Sequence, residues 1–378
     1  MSVEEFLAEW HDDSPTLLVH TSGSTGEPKP MWVEKRRMAA SARITCDFLG
    51  LHEGDTALLC MPLDYIAGKM MVVRSLVRGL RLTAVPPSGH PLKPNNEELE
   101  IKIYDFSAGD KPAGSGNHNY QFSNFNSSFS LAAMVPMQVW NTLQVAEERR
   151  RLMAVKHLII GGGAVNESLA AELRTFPNAV WSTYGMTETL SHIALRRLNG
   201  PEASEWYTPF PGVTLSQNAD GCLVIDAPAV HDGPLVTNDV VTFLRPFVSK
   251  QGEPEHRTTP STLHSPLSTF NPQPIPFRIL GRMDNVICSG GIKIQAEEVE
   301  RYLHDYLRSP YLITKRRDEK FGEAVVLLTE GDTAEAMAVC QRVLPKYWQP
   351  RAYVHTPHIP LTATGKPARK EAERLAEK

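Results

Sequence analysis

Short apolar runs alternate with stretches of helical periodicity along the first half of the chain. Thr16 to His20 (TLLVH) reads as a buried strand, followed by a Ser/Thr/Gly cluster and a helix from about Glu34 to Leu49. The alternation continues with the strand ALLCMP (Ala57 to Pro62), a helix from about Gly68 to Arg78 and the strand RLTAVP. A helix near Gln138 to Met153, the strand HLIIG, a helix after Asn166 and the strand AVWSTYG follow. Repeated β and α units predict an α/β fold: a large, mostly parallel sheet covered by helices, with ligand sites beyond the carboxyl ends of its strands. From about Glu205 to Leu244 short strands broken by Gly, Asp and Pro predict a small antiparallel β region. After Phe277 the pattern restarts near Gly281 as a compact α+β unit. Its strands lie around Val286 to Ile294, in YLITKRRD and in AVVLLTE; its helices are AEEVERYLHDYLR, TAEAMAVCQRVL and a charged terminal one. Two stretches, Ser107 to Ser130 and Val248 to Pro276, have loop composition and exceed ordinary loop length, as disordered insertions or functional lids would.

The composition narrows the class of partner. At 378 residues the chain has room for two to three domains, and 39 Lys and Arg against 43 Asp and Glu leave a net charge of -4. No basic excess is present to hold nucleic acid or an anionic membrane. No apolar run approaches the roughly 20 residues of a membrane span, and MSVEEFLAEWHDDSP lacks the pattern of a signal peptide. The expectation is a cytoplasmic protein acting on small molecules. The cysteines, Cys46, Cys60, Cys222, Cys288 and Cys340, lie far apart with no CxxC pair, which indicates plain thiols.

Three segments at strand ends carry candidate chemistry. Thr21-Ser-Gly-Ser-Thr-Gly-Glu-Pro-Lys29 combines two glycines, four hydroxyls and a cation, the donor types a phosphate needs. It is not a Walker A loop, since GxxxxGK[ST] is absent; a plain Ser/Thr/Gly turn would look similar. Tyr184-Gly-Met-Thr-Glu-Thr189 sets a carboxylate among hydroxyls, which suits Mg²⁺ as well as it suits a helix N-cap. Gly161-Gly-Gly-Ala-Val165 leaves room for a flat heterocycle against the backbone, or forms a glycine-rich helix entry.

Together, and in this order, these segments resemble the adenylate-forming superfamily of acyl-CoA synthetases, luciferases and peptide-synthetase adenylation domains. Two further stretches extend the resemblance: Thr237-Asn-Asp239, similar to a TGD motif, and the run from Gly281 to Lys293 followed by Glu297 to Glu300. Pro360-Leu-Thr-Ala-Thr-Gly-Lys366 is similar to the terminal motif. The resemblance implies a large domain over 1–283 for ATP and acid and a mobile C-terminal domain over 284–378. It assigns ATP binding to Thr21, Ser22, Gly23, Ser24, Thr25, Gly26, Lys29, Gly162, Gly163, Tyr184, Gly185, Asp239 and Arg282. Catalysis falls to Lys366, Thr187 and Glu188, with Glu188 on Mg²⁺. The hinge and the CoA side fall to Asp284, Gly290 and Gly291. The implied cofactors are ATP, Mg²⁺ and CoA, and the implied chemistry is a carboxylate attacking the α-phosphate before a thiol attacks the acyl-adenylate. Developing anionic charge calls for a metal, hydroxyl donors and a lysine, and residues of those types are present.

Within the superfamily, YGMTETLSHIA and Pro62-Leu-Asp-Tyr-Ile-Ala-Gly68 resemble the 2-succinylbenzoate–CoA ligase branch. Arg74 matches that branch's arginine, where a guanidinium could hold a second carboxylate. Gly161 and His192 complete the implied acid site. There are departures too. Asn238 replaces the usual Gly, and Asp64, Tyr65 and Ala67 depart from PLFHVSG. The phosphate loop begins at residue 21, so most of the usual preceding subdomain is missing, and the core is expected to close differently, as in a homodimer. Alternatives kept open are another aryl- or acyl-CoA ligase, a carrier-protein-loading adenylating enzyme and an inactive nucleotide-binding relative.

Overall fold

The computed structural model describes residues 1–20, 29–93, 101–107, 128–244, 275–362 and 367–377. Thr21 to Pro28, Ala363 to Lys366 and nearly all of the two long loop-like stretches lie outside the described residues.

Helix α1 (Val3–His11) starts on a capping box between Ser2 and Glu5 and buries Val3, Phe6 and Leu7. Strand β1 (Thr16–His20) pairs antiparallel with β2 (Pro30–Glu34), so that His20 stands opposite Pro30. This differs from the expected strand–loop–helix: the Ser/Thr/Gly segment joins two strands of a hairpin, and helix α2 (Lys35–Leu49) follows only after β2. Leu17, Val19 and Val33 turn inward while Leu18 and Trp32 face out, the period-2 pattern of a half-buried ribbon. Gly50 ends α2 in the left-handed region, its amide returning to Asp47 and Cys46.

The main sheet takes its parallel strands from β3 (Thr56–Leu59), β4 (Arg81–Ala84), β6 (Leu131–Met134), β7 (His157–Ile160) and β8 (Ala179–Gly185). Antiparallel β5 (Lys102–Asp105) flanks β4; β9 (His192–Arg197) and β10 (Thr208–Pro209) flank β8. The order is β10-β9-β8-β7-β6-β3-β4-β5. Central strands such as LAAM are buried throughout, because helices cover both faces. These helices include α3 (Ile66–Arg78), α4 (Pro136–Leu143), α5 (Ala146–Ala154) and α6 (Glu167–Leu173). The single helix expected near Gln138 to Met153 is two, with extended Val145 between them.

From β3 the chain runs outward to β4, then crosses back to lay β6 on the other side of β3. The connections after β3 and β6 therefore part company, which is where open α/β sheets bind ligands. Gln138 fixes this edge: its Oε1 accepts from Val135 N at 3.1 Å while its Nε2 donates to Cys60 O at 3.1 Å and Ser88 O at 2.9 Å.

A second, antiparallel sheet joins β11 (Thr214–Gln217), β12 (Cys222–Asp226), β13 (Leu235–Phe243) and β14 (Phe277–Arg282). Beyond it a five-stranded sheet holds β15 (Val286–Ser289), β16 (Ile292–Gln295), β17 (Tyr311–Asp318), β18 (Gly322–Thr329) and β19 (Ala352–His355). Alternation along β17 and β18 builds two small cores. Ile313, Val325 and Leu327 meet α7 (Ala296–Leu303) and α8 (Thr333–Val343), while Leu312, Val326 and Leu328 meet α9 (Arg369–Ala376). The main core reaches Phe277 and the next begins at Ile287, with Gly281 to Asp284 between them.

Candidate active site

At the carboxyl edge of β7, Gly161 leaves a space that no side chain could share: a Cβ there would stand 2.5 Å from Thr183 Oγ1 of β8. Gly162 follows with φ +74, and Gly163 is half-buried beside it. Helix α6 starts only at Glu167, capped by the Asn166 side chain, so the glycines form an open loop rather than a helix entry.

Beyond β8, the YGMTET segment is a hairpin connection into antiparallel β9, not the start of a helix. Gly185 is required by that turn, because an added Cβ would lie 2.2 Å from Ser191 O and 2.5 Å from His192 Cα. Leu190 is held at φ 62, a costly conformation for a bulky side chain. Thr189 steadies the turn by accepting from Met186 N at 3.0 Å and placing its hydroxyl 2.7 Å from Ser191 O. Thr187 is buried and Glu188 half-buried, with no hydrogen bond or ion pair from Glu188 to the described residues.

Two polar constellations flank this turn. In the first, Tyr184 Oη donates to Asp239 Oδ2 at 2.7 Å, and Asp239 N donates to Thr237 Oγ1 at 3.1 Å. Asp239 pairs in register with Arg282 across β13 and β14. Asn238, where the resemblance leads one to expect glycine, donates from Nδ2 to Asp284 Oδ2 at 2.8 Å, and Arg282 Nη2 stands 3.5 Å from the same oxygen. The structure thus gathers Tyr184, Asp239, Arg282 and Asp284. The Tyr184 ring itself is taken up in an aromatic cluster, 5.2 Å from the Phe277 centroid and 6.0 Å from that of Tyr207.

The second constellation centres on Arg74, which is 2% exposed on α3. Its Nη2 donates to Ser191 Oγ at 2.5 Å, its Nη1 lies 3.6 Å from Met71 Sδ, and Nε has no partner. No carboxylate among the described residues pairs with it, and burial pushes the guanidinium down to about 10, still charged at neutral pH. The hydroxyl of Thr45 donates to Ser41 O at 3.1 Å, so it accepts from His192 Nε2 at 3.1 Å. His192 Nδ1 is then the acceptor for Ser191 Oγ at 3.2 Å, and Ser191 accepts in turn from Arg74. Hydrogen-bond continuity assigns this tautomer. Ser191 and Thr45 were not singled out in the sequence; Ser191 lay within YGMTETLSHIA, whereas nothing in the spacing marks Thr45.

Burial, with Arg74 nearby, holds His192 neutral well below the usual imidazole range. An unfolded chain would bind a proton there near pH 6.5 and the folded chain resists it, so its stabilising contribution is present above that pH and lost as pH falls. The melting temperature is therefore expected to drop between pH 7 and 5. His192→Gln should flatten that slope, and an unchanged slope would show that other groups control it.

Lys29 stands at the foot of β2, while Thr21, Ser22, Gly23, Ser24, Thr25, Gly26 and Lys366 lie outside the described residues. Gly290 and Gly291, at φ 58 and 82, make the tight turn between β15 and β16, six and seven residues beyond Asp284. For Mg²⁺, the described residues hold no cluster of three or more His, Cys, Asp or Glu side chains. A lone carboxylate such as Glu188 fits an ion that keeps phosphate and water oxygens for most of its shell.

Comparisons with known proteins find relatives among AMP-forming ligases. The family model described as AMP-binding enzyme matches residues 4–104. The chain is 22% identical over 393 residues to a 2-succinylbenzoate–CoA ligase of Bacillus mycoides, covering 99% of this chain and 72% of that one. It is 24% identical to the ligase of the same name from Enterococcus faecalis, over 98% of this chain and 71% of the relative. Among solved structures, an acyl-CoA synthetase (AMP-forming)/AMP-acid ligase II-like protein from Dyadobacter fermentans is 29% identical, with a TM-score of 0.57. That alignment covers 97% of this chain and 91% of the other. The o-succinylbenzoate coenzyme A synthetase of Bacillus subtilis, solved with ATP and magnesium, shares the fold at TM-score 0.62 and 19% identity, over 95% and 69% of the two chains. In the segment matched by the family model and in its fold, the chain is similar to AMP-binding enzymes of the adenylate-forming superfamily.

Proposed function

We propose that this enzyme is an AMP-forming carboxylate–CoA ligase whose favoured acid is 2-succinylbenzoate. The observation that carries the choice of acid is Arg74: a buried guanidinium without a carboxylate among the described residues, beside the β8–β9 turn. An unpaired buried charge is costly, and an anionic substrate group offsets that cost. A dicarboxylic acid has one carboxylate to react and a second for Arg74. The curated relatives named above support the same choice.

In this reading Thr21 to Thr25 and Lys29 hold the ATP phosphates, and Asp239 with Arg282 receives the ribose. Gly161 to Gly163 lie against the base and the acid. Mg²⁺ on Glu188 would supply Lewis-acid relief of charge between the two anions. Lys366 meets the charge that builds at the α-phosphate, and Asp284 is the pivot between residues 1–283 and 284–378. Rotation about it exchanges the lysine for the Gly290–Gly291 face, which admits the thiol. Asn238 restrains Asp284 in the orientation described here.

The test is kcat/KM with ATP, Mg²⁺ and CoA for 2-succinylbenzoate, benzoate and a medium-chain fatty acid. The first should turn over fastest. Equal or better use of the fatty acid would remove the proposed substrate, and an adenylate that persists after CoA is added would remove the CoA ligase reading in favour of carrier loading.

A further inference from the structure

Tyr184 does not offer its ring to a ligand in this structure. The ring is 7% exposed and is packed edge-on to Phe277 beside Tyr207, which is itself fixed through Oη to Ser182 Oγ at 2.8 Å. What leaves the cluster is the hydroxyl, and it is spent on one acceptor, Asp239 Oδ2 at 2.7 Å. Asp239 is otherwise tied through its backbone amide to Thr237, and its other carboxylate oxygen accepts no hydrogen bond from the described residues. A half-buried carboxylate on a strand has a free χ2 torsion unless one oxygen is fixed, and a diol needs both oxygens presented in a set plane. Burial and the neighbouring Asp239 carboxylate push the Tyr184 hydroxyl well above its ordinary range, so it stays a neutral donor across the working pH.

We propose that Tyr184 is a positioning residue: its hydroxyl fixes the rotation of the Asp239 carboxylate so that the remaining oxygen meets a vicinal diol such as that of ribose. The inference rests on the reading of Asp239 as the ribose contact, and goes beyond it in giving the tyrosine a role through the aspartate. Rotation frozen in advance is entropy the complex does not lose on binding.

Tyr184→Phe keeps the ring in its cluster and removes only the donor, and retention of the fold is checked by its melting curve. Calorimetric binding of ATP and of 3′-deoxy-ATP, both with Mg²⁺, separates the possibilities. For ATP the variant should bind about tenfold more weakly, on the scale of one hydrogen bond to a charged group. For 3′-deoxy-ATP, which lacks one of the two hydroxyls, the loss should shrink to about twofold or less. In turnover the effect should appear in KM for ATP with kcat nearly unchanged. Equal weakening toward both nucleotides would show a merely structural tyrosine and overturn the proposal, as would no weakening toward ATP. Asp239→Asn serves as the control: if it binds ATP like the parent, Asp239 is not the ribose contact and that reading fails. If it weakens ATP while Tyr184→Phe does not, only the positioning role fails.

Discussion

Arg74→Met is expected to yield a protein at least as stable as the parent yet about 10- to 150-fold poorer toward 2-succinylbenzoate, the range of losing a hydrogen bond to a charged group. The two halves of that expectation have one cause. Arg74 is buried beside Met70, Met71, Val72 and Val73 with its charge unmatched by any described carboxylate, so an apolar side chain of similar length removes a desolvation cost. Methionine fills irregular space without a volume penalty, whereas Arg74→Ala adds a cavity and should lose both selectivity and stability. Benzoate, which has no second carboxylate, should be used about as well by the methionine variant as by the parent. The measurements are kcat/KM on both acids and a melting curve. A variant that melts lower and loses both acids in proportion would make Arg74 a structural residue, held for its bond to Ser191, and would take the dicarboxylate out of the proposal.

How far the chain could be read in advance depended on how much of the information was local. The central strands were legible because a parallel strand covered on both faces is an unbroken apolar run, as in HLII. Strand β2 was hidden: it begins at Pro30, and Val33 is its one buried position, so PMWVE has neither an apolar run nor clean alternation. The YGMTET segment was recognisable as a motif, but not as a hairpin. Its geometry depends on Gly185 meeting the Ser191 carbonyl and on Leu190 at φ 62, both of which follow from β9 returning beside β8. The pair Asn238 and Asp284 shows the same limit. The sequence marked Asn238 as a departure from Gly, but its use lies 46 residues away, where its side chain donates to Asp284. Arg74 stands out by position in a resembling segment; the stronger argument, a buried charge without an anion among the described residues, requires the fold.

Lys366→Ala is expected to slow formation of the acyl-adenylate by about 100-fold or more, the scale of losing one preorganised donor to developing charge. The chain on both sides of the motif is pinned. Leu361 pairs with Pro367, and Ala368 N donates to Pro360 O at 2.8 Å. Arg369 grips Glu300 through both oxygens, at 2.8 and 2.7 Å, and donates to Ile313 O at 2.6 Å. Desolvation raises the pKa of half-buried Glu300, a rise that the Arg369 guanidinium limits by favouring the carboxylate. Anchors of this kind reduce the entropy lost when the intervening lysine is brought to the phosphate. Under the proposed rotation about Asp284 the lysine serves adenylation and then withdraws, so the second half-reaction should survive its loss. Supplying the variant with ready-made acyl-adenylate and CoA, and separately with acid, ATP and Mg²⁺, measures the two steps apart. Equal damage to both would contradict the two orientations, and damage to neither would leave Lys366 a bystander.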